Sequence, residues 1–356
     1  MSASSHRILD GHNDCILSMY LQMEPCEAFY EGRGKGHIDL PRAQTSGFSG
    51  GFFAMFTPPP FQQQPRSGDD AAKNMVGRND PRRYETPSHA NARDFSLKLF
   101  NMLDELIDMG EGALKQCRSV QDVNSCLGNN LFAVIAHFEG AEAIASDLND
   151  LDEWYDRGLR SLGPVWSRSN DFAHGVPFAF PHSPDTGPGL TDAGKHLVRA
   201  CNQKGIMIDL SHMNERGFWD VEAICDAPLV VTHSCAHALT PSTRNLTDKQ
   251  LDAVKSNRGI VGCNFNTPDV RADGQRLADT PLTRIVEHID YMVNRIGIDH
   301  VAFGSDFDGA QMPDELGDVA GMSRLIDLLH DSGYDDDSID RLSHKNWLRV
   351  LRETWK

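Results

Sequence analysis

Six side chains of the types that bind metal ions lie at the ends of short apolar runs in this sequence. Two of them occur together in the stretch DGHND, which places His12 and Asp14 two residues apart. Side chains alternate along a strand, so both point to the same face and can hold one ion together. Two more His-x-Asp pairs occur, at 37–39 and 288–290, so the spacing alone is weak evidence. The pair at 288–290 lies in a stretch with helical periodicity, which separates its side chains.

The other four candidates follow four different apolar runs: Glu139 after FAVIAHF, His212 in IMIDLSH, His233 in LVVTHS and Asp306 in VAFGSDFDG. A lone residue of this kind is more often a loop cap, but six from five runs indicate a shared site. Three histidines and two carboxylates are too many for one tetrahedral zinc with an open position. They suit two divalent ions that share a bridging carboxylate and a water molecule. Glu139 is the expected bridge because it stands alone on its strand, which leaves Asp306 to carry protons.

The elements that position these residues form a repeating pattern of apolar runs and helical stretches. Eight runs have the composition of strands, and several are continuously apolar, as expected for parallel strands covered on both faces. They span residues 6–13, 47–56, 131–140, 159–166, 204–212, 227–234, 258–265 and 299–307. Eight strand–helix units predict an α/β fold, a (β/α)8 TIM barrel, with the metal centre at the C-terminal face of the strands. A doubly wound open sheet is the alternative, but no Gly-x-Gly-x-x-Gly follows a strand.

Composition restricts the classes of partner. The chain has 356 residues and a formal net charge of −17, which argues against nucleic acid or an anionic membrane as a partner. The N-terminus lacks the basic and apolar regions of a secretion signal, and no run approaches the roughly 18 apolar residues of a membrane span. We therefore expect a cytoplasmic protein whose eight scattered cysteines are reduced and mostly buried. A homodimer is retained as a candidate assembly.

One stretch, 57–91, departs from the repeating pattern because it is long and rich in Pro, Gln, Asp and Arg. Loops of this length in a compact domain are usually lids, partner surfaces or disordered segments. This stretch and a second irregular one, at 170–189, follow predicted strands, so both should lie on the active face. We predict a single catalytic domain over 1–356, with 57–91 as an inserted loop on that face.

Five stretches in order resemble the membrane (renal) dipeptidase family of metallopeptidases (peptidase family M19), within the amidohydrolase superfamily. They are DGHND, HFEG, IDLSH, VVTHSCAHALTPSTRN and GSDFDG, and the resemblance extends from about residue 8 to NWLRVL near the C-terminus. It implies a (β/α)8 barrel that hydrolyses dipeptides with two zinc ions. The metal ligands implied by the matching motifs are His12 and Asp14 for one ion, His212 and His233 for the other, and Glu139 for both. Asp306 is implied as the acid/base.

The resemblance also implies how the substrate binds. Arg244, in STRN, matches the arginine that binds the free carboxylate of the dipeptide, and the family tolerates or prefers a D-residue on the C-terminal side. The family pattern has a histidine after the fourth strand that helps to bind the substrate carbonyl, whereas this sequence has Trp166 at that position. His174, in NDFAHG, is a candidate substitute, although an exposed loop histidine is the simpler interpretation.

Three alternatives to a dipeptidase remain open. A related amidohydrolase acting on N-acyl amino acids or another small amide would use the same metal ligands. The second alternative is a non-catalytic barrel that binds metal or a partner; the presence of Asp306 and Arg244, which no metal requires, argues against it. A phosphotriesterase-like enzyme would carry a lysine for carbamylation at the end of the fourth strand, and GPVWSRS contains none.

Overall fold

The computed structural model describes residues 6–65 and 80–356, and these contain nine strands, all paired in parallel. The strands are β1 Ile8–Asn13, β2 Phe48–Ala54, β3 Leu114–Gln116, β4 Phe132–Glu139, β5 Leu159–Gly163, β6 Met207–Ile208, β7 Val230–Ser234, β8 Ile260–Cys263 and β9 Val301–Phe303. Each of the eight apolar runs contains one of them. The short β3 was not predicted, because only one of its three residues is buried.

The strands form two hydrogen-bonded groups that together close a barrel. The first has the order β1-β2-β4-β5-β6, with β3 beside the start of β4, and the second has the order β7-β8-β9. A single parallel bridge between Asp209 and Val230 joins the β6 side to β7. Another bridge, between Asn13 and Phe307, joins β1 to the chain after β9. Apart from β3, eight parallel strands therefore form a ring, which confirms the predicted (β/α)8 barrel.

Helices connect the strands and cover the outside of the barrel. They are α1 Cys15–Gln22, α2 Glu27–Glu31, α3 Leu40–Ser46, α4 His89–Met109, α5 Val120–Asn129, α6 Leu151–Arg157, α7 Asp192–Lys204, α8 Glu215–Glu222, α9 Asp248–Ser256, α10 Thr267–Val270, α11 Thr283–Ile296, α12 Met322–Asp331, α13 Asp336–Asp340 and α14 Asn346–Thr354. Thr191, Asn214 and Thr247 cap α7, α8 and α9 through their side-chain oxygens. In the described part of the chain, no helix has the length and apolarity to cross a bilayer.

The last helix explains one residue of the DGHND stretch. Trp347 of α14 is fully buried, and its indole nitrogen donates a hydrogen bond to the carbonyl of Phe303, 3.1 Å away. A Cβ atom at Gly11 would lie 2.4 Å from the Trp347 ring and 2.5 Å from the carbonyl oxygen of Thr232. Only glycine fits at this point of β1, so the residue between Asp10 and His12 is fixed by packing rather than by chemistry.

The inserted loop is described at its two ends. Residues 66–79 of the 57–91 stretch lie outside the described residues. The flanking parts are irregular except for the short 3-10 helices Pro60–Gln62 and Pro81–Tyr84, and α4 begins within the predicted loop, at His89. The second irregular stretch, at 170–189, contains no helix or strand, as predicted.

Candidate metal centre

The strand ends bring one carboxylate together with three imidazoles. Oε1 of Glu139, at the end of β4, lies 2.9 Å from Nε2 of His212, 3.5 Å from Nε2 of His233 and 3.6 Å from Nε2 of His12. Nε2 of His12 also lies 3.5 Å from Oδ2 of Asp14. All five side chains are buried. The geometry therefore gathers every predicted ligand, with Glu139 at the centre of the set.

Two observations indicate that these residues form a site for a cation. Both ring nitrogens of His12 are buried and have no hydrogen-bond partner among the described residues. Buried polar atoms in folded proteins are almost always paired, so this histidine lacks something that a ligand would supply. Asp14 occupies the N-cap position of α1 but makes no capping hydrogen bond, because its carboxylate is turned toward His12. The donor set of imidazoles and carboxylates suits zinc and similar divalent ions.

Hydroxyl groups hold two of the imidazoles in the orientation that metal binding requires. Thr232 Oγ1 lies 2.6 Å from Oδ2 of Asp209 and 2.9 Å from Nδ1 of His233. Because the carboxylate only accepts, the hydroxyl donates to Asp209 and accepts from Nδ1 of His233. Similarly, Ser167 Oγ lies 2.7 Å from Nδ1 of His212. The Nε2 lone pair of His233 is thereby directed into the centre, and Asp209 supports this orientation through Thr232.

The hydroxyl of Thr232 is therefore a target for mutation. We expect Thr232→Val to weaken metal binding by about 10–100-fold, the usual cost of removing a group that orients a ligand. Thr232→Ser is the matched control, because it keeps the hydroxyl and should keep most of the affinity. Metal dissociation constants measured by competition with a chelator would test this. Equal affinities of the valine and serine variants would contradict the orienting role.

The charges at the centre are unbalanced in the absence of a cation. Burial raises the pKa of Glu139 well above its ordinary value, and burial lowers the pKa values of His212 and His233 well below theirs. Burial also acts to lower the pKa of His12, but the carboxylates of Glu139 and Asp14 outweigh it and raise that pKa to about 10. Without a cation, protons therefore have to be shared within the centre. Divalent ions would replace these protons, so metal binding should be coupled to their release.

Asp306 lies beside the centre, at the turn that follows β9. Its Oδ2 accepts a hydrogen bond of 3.1 Å from the side-chain nitrogen of Asn264. One ligand atom each of Asp306, His12 and Asp14 lie within 4.8 Å of one another. Burial, with a smaller contribution from Asp14, raises the pKa of Asp306 to about 7. Asp306 and His212 both have positive φ angles, of 63° and 64°, which non-glycine residues rarely adopt. Such backbone strain is concentrated at functional sites.

A cavity of about 520 Å³ opens beside the centre. Glu139, His212 and Asp306 reach it, whereas His12 and His233 are fully buried. Arg244 also lines the cavity, and only 5% of its surface is exposed. Its guanidinium donates to the carbonyl of His233 over 3.1 Å. Among the described residues no carboxylate forms an ion pair with Arg244, so a buried positive charge faces the cavity.

Aromatic side chains form the part of the cavity wall beside His212. The Trp166 ring lies 4.9 Å from the Phe56 ring, 5.5 Å from the Phe178 ring and 5.6 Å from the His212 imidazole, measured between centroids. From the inserted loop, Arg83 places its guanidinium 4.6 Å from the centre of the Phe178 ring, and Pro58 and Gln62 also line the cavity. Trp166 thus lines the cavity next to the candidate metal centre.

The structure does not bring His174 to this cavity. This histidine is half-buried in the 170–189 stretch, where its Nδ1 lies 2.8 Å from Oγ of Ser169. In the part of the chain that the structure describes, His174 does not line the cavity. The sequence reasoning missed Ser167 and Asn264, which contact His212 and Asp306 directly. The only sequence signal for them is that Ser167 directly follows a predicted strand and Asn264 lies at the end of one.

A parallel (β/α)8 barrel with three imidazoles and a carboxylate converging at the C-terminal strand ends is the arrangement of a metal-dependent hydrolase. A family model described as membrane dipeptidase (peptidase family M19) matches residues 3–356. The chain therefore belongs to this family of metallo-dipeptidases.

Individual relatives agree with the family match. A protein of Klebsiella pneumoniae, described as an uncharacterized protein in the pqqA 5′ region, is 51% identical over 255 residues, which are 72% of this chain and 94% of that protein. The crystal structure of the metallo peptidase dipeptidase AC, of family M19, is 43% identical with a TM-score of 0.90, and the match covers 99% of both chains. A metallo peptidase of Rhodobacter sphaeroides is 44% identical with a TM-score of 0.91, and the match covers 99% of this chain and 100% of that one. The latter was solved with a phosphinate mimic of the dipeptide L-Ala-D-Ala.

Proposed function

We propose that this protein hydrolyses dipeptides that have a free C-terminal carboxylate, and that it accepts or prefers a D-residue at that end. The observation that carries this proposal is the position of Arg244. Its buried guanidinium has no carboxylate partner among the described residues and lines the same cavity as Glu139, His212 and Asp306. A buried guanidinium needs an anionic partner, and a planar carboxylate is the partner that it binds best.

In this proposal the centre holds two divalent ions, with zinc as the preferred metal. Their ligands would be His12 and Asp14 for one ion, His212 and His233 for the other, and Glu139 for both. When bound, such ions lower the pKa of a water molecule toward about 7 and polarise the peptide carbonyl. Side chains of the protein bind the substrate, orient it and move protons.

Asp306 is positioned to move the protons. Its carboxylate lines the cavity, and one of its oxygens accepts a hydrogen bond from Asn264, which leaves the other oxygen to exchange protons. We assign to it the removal of a proton from the attacking water and the delivery of that proton to the leaving amine. Breaking a peptide bond requires both transfers, because an unprotonated amine anion is a poor leaving group.

The cavity itself limits the substrate. Its volume of about 520 Å³ is at the lower end of the range for small-molecule sites, which suits a dipeptide. Trp166 and Phe178 offer an apolar wall to a side chain, and Pro58 and Arg83 of the inserted loop line it as well. We propose that the 57–91 loop restricts substrate length in this way. Acceptance of a C-terminal D-residue is supported by the L-Ala-D-Ala mimic bound to the Rhodobacter sphaeroides relative.

Removing the bridging carboxylate should empty the centre. Glu139→Gln keeps the size of the side chain but removes the charge that both ions share, so we expect the retained metal to fall by about two ions per chain. Activity should fall to background at the same time. Elemental analysis of protein purified without chelator measures the first effect. Glu105→Gln, on the exposed face of α4, is the control and should match the wild type. A glutamine variant that retains all its metal would contradict the bridging role.

A substrate panel tests the function directly. The zinc-loaded enzyme should be assayed with Ala-Ala dipeptides that vary in chirality at both positions, with their C-terminal amides and with N-acetylalanine. We expect hydrolysis of the free dipeptides, including L-Ala-D-Ala, and little hydrolysis of the amides. Faster turnover of N-acetylalanine than of every dipeptide would replace the proposal with an N-acyl amino acid hydrolase.

A further inference from the structure

A second cluster of metal-binding side chains lies away from the active face. It consists of His6, just before β1, His330 near the end of α12, and Asp336 at the start of α13. Each offers one ligand atom, and the three atoms lie within 4.8 Å of one another. His6 and His12 are six residues apart along β1, which is about 20 Å at roughly 3.3 Å per residue. The cluster is therefore separate from the metal centre described above.

The distances within this cluster approach those of a coordination site. Oδ1 of Asp336 lies 3.6 Å from Nε2 of His6 and 3.6 Å from Nε2 of His330. Two ligands bound tetrahedrally to zinc at about 2.0 Å are roughly 3.3 Å apart. Small rotations of exposed side chains would close this difference, because Asp336 and His330 both lie at the surface.

Hydrogen bonds on the far side of each ring determine which nitrogen faces Asp336. Nδ1 of His6 lies 2.9 Å from Oδ1 of Asp340, and Nδ1 of His330 lies 3.0 Å from the backbone carbonyl of Tyr334. A carboxylate and a carbonyl only accept, so both Nδ1 atoms must donate. In the neutral histidines, the Nε2 atoms then carry lone pairs directed at Asp336. Donation from the distal nitrogen to a carboxylate or carbonyl is the usual support for a metal-binding histidine.

This arrangement needs positive charge between the three groups, and a metal ion can supply it. Two lone pairs that face a carboxylate repel it, unless protons or a metal ion lie between them. Lys345 does not supply this charge to Asp336, because its Nζ is paired with Asp337 at 2.9 Å and Asp340 at 3.0 Å. Among the described residues, the two histidines are the ion-pair partners of Asp336.

We propose that His6, His330 and Asp336 bind a third metal ion, a divalent ion of the zinc type, with solvent completing its coordination. Asp340 and the Tyr334 carbonyl hold the two imidazoles in position. The ion would tie the start of β1 to α12 and α13, which lie more than 300 residues later in the chain. Its role is structural, because a link between segments so distant in sequence removes much freedom from the unfolded chain. This inference does not depend on the proposed dipeptidase function.

The test compares neighbouring carboxylates on one helix. Asp336→Asn and His330→Gln remove a ligand, whereas Asp337→Asn removes the carboxylate that binds Arg341 and Lys345. Zinc is added to the holoenzyme, and bound zinc per chain is measured by equilibrium dialysis and elemental analysis. We expect one ion fewer in the two ligand variants than in the wild type and in Asp337→Asn. Added zinc should raise the Tm of the wild type by about 5 °C at roughly 100-fold excess over Kd, and this rise should be absent from the ligand variants.

The outcomes separate this inference from the proposed function. Dipeptide hydrolysis should be unchanged in all three variants, because the cluster lies far from the cavity. If the wild type binds no zinc at the Glu139 centre, the binuclear centre is refuted. If Asp336→Asn still binds one zinc ion fewer than Asp337→Asn in that case, the third site stands. Equal zinc content and equal Tm shifts in those two variants would overturn the third site. Wild-type stability that responds to salt but not to zinc would also overturn it, because the cluster would then be an ion pair of protonated histidines.

Discussion

Replacing Asp306 with asparagine should lower kcat for a dipeptide by about 10²–10⁴-fold, the usual scale of general acid/base catalysis. The fold and the metal content should remain those of the wild type, because asparagine keeps the size of the side chain. The metal content decides between the two roles, since the Asp306 carboxylate lies close enough to the His12 imidazole and the Asp14 carboxylate to hold an ion with them. Steady-state kinetics and elemental analysis of the same preparation provide both values.

A neighbouring carboxylate supplies the control for this experiment. Asp308 follows two residues later, and its side chain binds Arg33 over 2.8 Å and the backbone nitrogen of His37 over 2.8 Å. Asp308→Asn should therefore lower Tm more than it lowers kcat, whereas Asp306→Asn should do the opposite. If Asp306→Asn loses one of its metal ions, Asp306 is a ligand and the proton carrier must be another group.

The strand pattern was predictable from the sequence because parallel barrel strands are buried on both faces. Every residue of β1, β2 and β4 is buried, and in β4 this burial appears in the sequence as a nearly continuous apolar run. The same logic predicted that the candidate ligands lie together, since the C-terminal ends of such strands converge on one face. The short strand β3 was not predicted because two of its three residues are only half-buried and polar.

The groups that orient the ligands were not predictable. Ser167 and Thr232 contact His212 and His233 through hydroxyl groups whose placement depends on side-chain rotamers and on neighbouring strands. Serine and threonine are common within strands and after them, so neither residue is conspicuous in a single sequence. The cluster at His6, His330 and Asp336 was missed for a related reason. Its members are spread over the whole chain, and only the closure of the barrel brings its first strand next to its last helices.

The position of the aromatic side chains that line the cavity could be determined only from the structure. The sequence identified Trp166 as a departure from the family pattern but could not show what replaces the missing histidine. In the structure, the indole packs beside His212 and under two arginine side chains, with Arg168 at 5.5 Å and Arg83 at 5.8 Å from the ring centre. Cations over an indole are a stabilising arrangement. Arg83 comes from the inserted loop, so that loop contributes a positive charge near the cavity that composition alone did not indicate.

The second large effect is expected at Arg244. Truncating one partner of a buried charge pair costs about 2–5 kcal/mol, so Arg244→Ala should lower kcat/KM for a free dipeptide by roughly 30-fold to several thousand-fold. Arg244→Lys should restore only part of this loss, because lysine offers the charge without the planar fork that matches a carboxylate. The wild type should discriminate against the C-terminally amidated dipeptide by a factor similar to the loss in the alanine variant.

The acid-to-amide ratio separates substrate binding from a structural role. Arg244 also donates to the carbonyl of His233, so its removal can disturb a metal ligand and lower activity without any contact to substrate. Such a disturbance lowers kcat/KM for the acid and the amide alike, and it should also appear in the thermal melt and the metal content. Loss of carboxylate binding instead abolishes the preference for the acid, because neither substrate then has a partner. A folded, metal-loaded Arg244→Ala variant that still prefers the acid as strongly as the wild type would remove Arg244 from the substrate site. The buried positive charge beside the metal centre would then need another explanation.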